Sequence, residues 1–159
     1  SLVLRVYLCR HGEAVAKAPT DAERPLTERG RAEVLSLWQT LREEGVSVGR
    51  LVASPYRRAQ QTALCIAQAF GGMEQESCGY LVPEAQPERF LEWLMLQPEQ
   101  ENLVLVSHMP LVSLLTATWI GEPCSRPAFR VGSVAALDVD VAAANGARLL
   151  WLRGPERPC

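Results

Sequence analysis

Short apolar runs alternate along this chain with longer segments whose apolar residues recur at helical spacing. Three of the runs, Leu2 to Cys9, Leu51 to Ala53 and Leu103 to Val106, predict buried strands. Val134 to Val139 and Arg148 to Leu152 flank an Asn-Gly turn and predict an antiparallel pair at a sheet edge. Strands that alternate with helices are typical of an α/β fold, so we expect a mostly parallel central sheet.

Capping and stop signals predict four helices between these strands. Thr27 can cap the first helix, whose end lies near Gly45, and Pro110 can open the last. In chain order the predicted helices run from Thr27 towards Gly45, from Pro55 to the glycines at 71 and 72, from Pro87 to Leu96, and from Pro110 to Gly121. The tryptophans fall on apolar faces or strands and are predicted to be core residues, not a platform for stacking bases: Trp38, Trp93, Trp119 and Trp151.

Length and charge exclude several classes of protein. At 159 residues the chain has the usual size of one domain, and we expect a single domain over residues 1–159. The 16 basic and 18 acidic residues give a net charge of −2, so no global basic field would gather nucleic acid or anionic lipid. No apolar run approaches the ~18 residues of a membrane span, and no secretory signal is evident. We expect a cytoplasmic monomer without nucleic-acid or membrane partners.

The cysteines predict neither a disulfide framework nor a zinc site. They are odd in number, widely scattered and without a C-x-x-C pair, so we interpret them as reduced thiols: Cys9, Cys65, Cys78, Cys124 and Cys159.

Histidines and arginines follow three of the predicted strands. Arg10 and His11 end the first strand, Arg57 and Arg58 follow the second, and His108 follows the third. If these strands are parallel neighbours, their carboxyl ends meet at the edge where α/β sheets bind ligands. Forked guanidinium donors match phosphate oxygens, and helix N-termini after two of the strands add dipole support. The pattern therefore predicts an anion site, with phosphate as the natural ligand.

Each of these residues also has a simpler interpretation. A single histidine after a strand is more often a hydrogen-bonded, partly buried residue, and one of the two neighbouring arginines is expected to be solvated. The two histidines could be a metal pair, but neither has a cysteine or a second histidine at ligand spacing, which disfavours a metal site. Glu13 and Glu84 could be catalytic carboxylates or surface acids.

Four ordered motifs resemble those of a known family. "LCRHGEA" is similar to its Arg-His-Gly signature, "RPLTERG" to its Pro-Leu-Thr-x-x-Gly segment, "ASPYRRAQQTA" to its Ser-x-x-x-Arg-Ala-x-x-Thr pattern, and "VLVSHMPLV" to its second histidine segment. The family is the histidine phosphatase, or phosphoglycerate mutase-like, superfamily. The short length and the segments "SHMPLV" and "LVPEAQP" look most like the SixA-type bacterial protein-phosphohistidine phosphatases.

The resemblance implies a three-layer α/β/α sandwich and a two-step, metal-independent phosphatase that needs no cofactor. It makes His11 the nucleophile that takes the phosphoryl group, with Arg10, Arg58 and His108 gripping its oxygens. The Gly12 carbonyl would hold the other nitrogen of the His11 ring, and water would then hydrolyse the phosphohistidine intermediate. This agrees with general chemistry, because a nucleophilic imidazole must be neutral and a transferring phosphoryl group needs preorganised cations.

The chain leaves little room for a lid over the site, since only 49 residues separate Arg58 from His108 and helices occupy much of that stretch. An uncovered phosphate site without a sizeable cap insertion suits a phosphohistidine presented by a signalling or phosphotransfer protein. Glu84 and Glu13 are the candidates for a general acid. Two alternatives remain open: a phosphatase for small phosphate monoesters, and an inactive phosphopeptide-binding module, which the retention of the nucleophile disfavours.

Overall fold

A six-stranded sheet lies at the centre of the computed structural model, which describes residues 4–98 and 101–156. Its strands are β1 (Leu4–Arg10), β2 (Arg50–Ala53), β3 (Glu76–Ser77), β4 (Leu103–Ser107), β5 (Val134–Val139) and β6 (Ala147–Arg153). The order across the sheet is β3-β2-β4-β1-β5-β6; β1 to β4 are parallel, and β5 runs antiparallel to both β1 and β6. The mostly parallel sheet with an antiparallel pair at its edge is thus confirmed. Leu2, Val3 and Cys159 lie outside the described residues.

Four α-helices connect the strands: α1 (Glu28–Glu43), α2 (Arg57–Ala69), α3 (Pro87–Met95) and α4 (Leu111–Ile120). As predicted, the Thr27 hydroxyl caps α1 by accepting the Gly30 N–H at 2.9 Å. α4 ends at Gly121, whose φ of 74° lies in the left-handed region that glycine tolerates. None of the helices in the described ranges is long and apolar enough to span a membrane.

The helices form layers on both faces of the sheet. Side chains alternate along each strand, so that in β1 Leu8 packs into the core under α3 and α4, whereas Cys9 packs into the core under α1 and α2. Each core contains a fully buried tryptophan, Trp119 in the first and Trp38 in the second, and the other two tryptophans are partly buried against these cores. The three-layer α/β/α sandwich is therefore confirmed.

Strand register brings three chain segments to the same edge of the sheet. Ala53 at the end of β2 and Cys9 near the end of β1 both pair with Val106 of β4. The backbone hydrogen bonds to β4 continue past both strand ends. The His11 N–H donates to the Ser107 carbonyl at 3.0 Å, and the Ser54 N–H donates to the Val106 carbonyl at 2.9 Å. The carboxyl ends of β1, β2 and β4 thus lie side by side, as the sequence interpretation required.

Candidate active site

His11 follows β1 directly and is held by its backbone on both sides, because its N–H donates to Ser107 and its carbonyl accepts from the Gly132 N–H at 2.8 Å. Its Nδ1 lies 2.7 Å from the carbonyl oxygen of Gly12. Since a carbonyl can only accept, Nδ1 carries the ring proton and Nε2 keeps its lone pair. The side chain is therefore held in the tautomer that a nucleophilic Nε2 requires.

The surroundings of His11 keep its imidazole neutral. Burial is the main cause that lowers the pKa of His11 to about 4; the Gly12 hydrogen bond opposes this, and the charges of Arg58, Arg10 and Arg24 reinforce it. At neutral pH the ring consequently has an unprotonated Nε2.

Gly12 packs too closely against α1 for any other residue. A Cβ at this position would lie 2.8 Å from Val34 Cγ2 and 3.1 Å from the Gly30 carbonyl oxygen. The Gly12 N–H donates to the Thr62 hydroxyl on α2 at 3.0 Å. The glycine therefore lets the loop after β1 lie tightly between two helices, and this fixes the carbonyl that orients His11.

Arg58, in the first turn of α2, reaches His11. Its side chain is only 4% exposed, and its Nε donates to His11 Nε2 at 3.2 Å. The guanidinium carbon lies 5.0 Å from the centre of the Tyr56 ring, an arrangement that also favours a buried cation. Arg57 is exposed. Of the two neighbouring arginines, the structure brings Arg58 to the nucleophile candidate and leaves Arg57 at the surface.

His108 follows β4 and lies beside His11, with 5.1 Å between the ring centroids. Its Nε2 is 2.8 Å from the Ser54 hydroxyl oxygen, which also accepts the Tyr56 N–H at 3.2 Å. The Ser54 hydroxyl can therefore donate its proton in a hydrogen bond to His108 Nε2, which leaves the proton of the neutral His108 ring on Nδ1. Within the described residues this buried Nδ1 has no hydrogen-bond partner. Burial, followed by the charges of His11 and Arg58, lowers the pKa of His108 to about 2.

Arg10 contributes a second guanidinium. Its Nη1 donates to the Phe129 carbonyl at 2.8 Å, while its buried Nε has no partner among the residues described. Burial and then the charge of Arg58 lower the pKa of Arg10, so the two cations lie close enough to repel each other. Repelling cations and unpaired buried donors are both stabilised by a bound anion.

The two candidate general acids occupy different positions. The Glu13 carboxylate accepts the hydroxyl of Thr27 at 2.9 Å and so lies at the N-terminus of α1. Glu84 is exposed and lies in the segment before α3. The pKa of Tyr56 is raised first by the burial of Tyr56 itself and then by the negative charge of Glu84. Because the Tyr56 ring lies 5.0 Å from the His108 ring, Glu84 is near the rim of the cluster.

Asp21 and Arg24 also belong to this cluster, although their roles were not predicted from the sequence. Asp21 contacts Arg58 through both its carbonyl and its carboxylate, and Arg24 acts on His11 through its charge. The position of Asp21 could have indicated a role, because it stands three residues before Arg24, the first residue of the "RPLTERG" motif. Ser54 was quoted as part of a motif, but its contact with His108 could not be deduced from spacing.

The arrangement combines a neutral, oriented imidazole with two guanidiniums and unpaired buried donors. Such a set can accept a phosphoryl group and stabilise the charge on its oxygens. In the described parts of the chain, no three His, Cys, Asp or Glu side chains come together in a way that could hold a metal ion.

Comparisons with known proteins agree with this chemistry. Residues 6–79 match the family model of the histidine phosphatase superfamily, branch 1. The chain is 30% identical over 145 residues to the phosphohistidine phosphatase SixA of Escherichia coli, with 86% of each chain covered. The structure of the protein histidine phosphatase SixA complexed with tungstate superimposes with a TM-score of 0.84 at 27% identity, covering 96% of this chain and 97% of that one. A SixA structure from Agrobacterium tumefaciens gives a TM-score of 0.82 at 27% identity, covering 98% and 100%.

Proposed function

Because the chain belongs to the histidine phosphatase superfamily, we propose that it removes the phosphoryl group from phosphohistidine on another protein, by way of a phosphorylated His11. The observation that carries this proposal is the state of His11. Its Nδ1–H is bound to Gly12, its Nε2 is unprotonated, and the Arg58 Nε–H lies 3.2 Å from that Nε2. The tautomer with its proton on Nδ1 leaves the lone pair on Nε2, which is the atom that a nucleophilic imidazole uses to attack phosphorus.

In the proposed first step, His11 Nε2 forms a bond to phosphorus as the bond to the leaving nitrogen breaks. Arg58, Arg10 and the His108 Nδ1–H stabilise the negative charge spread over the phosphoryl oxygens. In the second step, water attacks the phosphohistidine at His11 and releases inorganic phosphate. The leaving imidazole takes up one proton and water gives up one as it adds to phosphorus, so the neutral His11 ring is restored and the cycle requires no other reactant.

A protein-borne phosphohistidine is favoured by the short connection between α2 and α3. Residues 70–86 contain only β3 and one turn of 3-10 helix, Gly79–Leu81, so this connection supplies no long insertion that could cover the site. Small substrates usually benefit from such closure, whereas a partner protein can exclude water by its own surface.

Phosphohistidine also reduces the need for a general acid. Its leaving group is an imidazole, with a side-chain pKa of about 6.5, and departs more readily than an alkoxide. Glu84, near the rim, is the better candidate to assist departure, because Glu13 already accepts a hydrogen bond from Thr27. A single domain without a cap, a monomeric state, a cytoplasmic location and a role in signal transduction remain predictions from the sequence.

The substrate is tested by comparing turnover of a histidine-phosphorylated protein with that of a panel of small phosphate monoesters, using one enzyme preparation. We expect kcat/KM to be higher for the phosphohistidine protein by at least about 100-fold, because a protein partner can contact the surface around the uncovered site and a small ester cannot. A higher value for any small ester would favour the small-molecule alternative. Binding of the phosphoprotein without turnover of either class would favour the phosphopeptide-binding module.

Metal chelation and oxyanion inhibition give a second test of this mechanism. We expect EDTA to leave turnover unchanged, because the proposed phosphoryl contacts come from Arg10, Arg58 and His108. Vanadate, tungstate and high phosphate should inhibit competitively by occupying the same donors. Loss of activity in EDTA that zinc or magnesium restores would contradict the mechanism.

A further inference from the structure

The 3-10 turn Asp21–Glu23 lies against Arg58 and contacts it twice. Arg58 Nη1 donates to the Asp21 carbonyl oxygen at 2.7 Å, and Nη2 donates to Asp21 Oδ2 at 3.2 Å. The third nitrogen, Nε, donates to His11 Nε2. All three nitrogens of this buried guanidinium are therefore engaged, two by Asp21 and one by the nucleophile candidate.

The other carboxylate oxygen of Asp21 is bound by a second cation. Arg24 Nε donates to Asp21 Oδ1 at 2.9 Å, and Arg24 Nη1 donates to the Val15 carbonyl at 3.0 Å. Burial acts in the opposite direction, but the hydrogen bonds from Arg24 and Arg58 hold the pKa of Asp21 below its usual range. Asp21 is thus an ionised carboxylate between two arginines whose charges act on His11.

We propose that Asp21 is a positioning residue for phosphoryl transfer, which holds the Arg58 guanidinium in line with His11 and offsets part of the positive charge of the three arginines at the site. This proposal rests on the proposed function, in which Arg58 binds the oxygens of the transferring phosphoryl group. Through Arg58, Asp21 sets the angle at which an N–H meets the oxygens of the transferring group. A loss of this alignment lowers the rate of the chemical step more than it lowers binding.

The same carboxylate weakens the binding of anions in the ground state. Arg10, Arg24 and Arg58 attract any oxyanion, including the phosphate product, and Asp21 repels it. Removing the Asp21 charge therefore strengthens oxyanion binding while it releases Arg58 from its orientation. A carboxylate that served only to stabilise the loop would not change affinity and turnover in opposite directions.

The test is Asp21→Asn, which keeps the size of the side chain and removes its charge. We expect kcat for a phosphohistidine protein to fall about tenfold through misalignment of Arg58. We expect the Kd of tungstate, measured by titration calorimetry, to decrease about threefold, a small effect because the Asp21 side chain is 59% exposed and its charge is screened by solvent. Glu23→Gln is the matched control, since it removes one charge from an exposed position in the same turn, and both values should stay near wild type.

Unchanged kcat, or tungstate binding weakened in parallel with kcat, would overturn the role of Asp21. Asp21→Glu provides a further check, because a restored carboxylate should return tungstate affinity towards the wild-type value. Failure of the proposed function would be visible separately, as wild-type protein that binds tungstate but does not hydrolyse phosphohistidine. The tungstate comparison of Asp21→Asn with Glu23→Gln would still decide whether Asp21 offsets the charge of the site.

Discussion

His11→Ala is expected to abolish turnover, lowering kcat by more than about 10³-fold, because it removes the atom to which the phosphoryl group is transferred. Brief exposure of the wild type to a labelled phosphodonor, followed by rapid denaturation, should trap a label that is acid-labile and stable in alkali. The variant should show no such label. The measurement is the amount of trapped label beside the rate of phosphate release.

The chain offers an internal control for this experiment, because His11 and His108 are its only histidines. A phosphohistidine that persists in the His11 variant would have to be on His108 and would reassign the nucleophile. Comparable turnover by the variant would mean that water attacks the substrate directly and that no covalent intermediate forms. Thermal unfolding should establish that the variant is folded before either result is interpreted.

Arg58→Ala is expected to lower kcat/KM by two to four powers of ten, about 3 to 5 kcal/mol of transition-state stabilisation. The side chain is buried, and its Nε lies 3.2 Å from the proposed nucleophilic atom, so its loss removes a charged donor from the point of phosphoryl transfer. Steady-state kinetics with a small phosphate ester measures the loss.

Arg57→Ala is the matched control, since the two arginines are adjacent in the first turn of α2 and only Arg57 is exposed. It should cost less than about tenfold with a small ester, as expected for a surface cation screened by solvent. A larger loss with a protein substrate, growing at low salt, would place Arg57 on the docking surface. Equally severe defects in both variants with the small ester would contradict the assignment of Arg58 alone.

Local patterns in the sequence were sufficient for most of the architecture. Thr27 caps α1, and Gly121 in the left-handed conformation ends α4, because capping and chain reversal depend on residues within a few positions. Strand β3 was missed, since the polar pair Glu76–Ser77 has no apolar periodicity, and its pairing with β2 includes a salt bridge from Arg50 to Glu76, 26 residues away. Helix geometry, which turns 100° per residue, explains why only one of the two adjacent arginines reaches the site, but the choice of Arg58 rested on the resemblance of its motif.

The sequence by itself determined the α/β fold and which residues reach the carboxyl ends of the strands, His11, Arg58 and His108 among them. Both depend on local periodicity and on the order of the strands along the chain. Only the tertiary structure decided what those side chains contact. The tautomer of His108 depends on Ser54, 54 residues away, and the orientation of Arg58 depends on Asp21, 37 residues away. Such contacts depend on how loops pack over finished helices and strands, and no periodic pattern in the sequence encodes that packing.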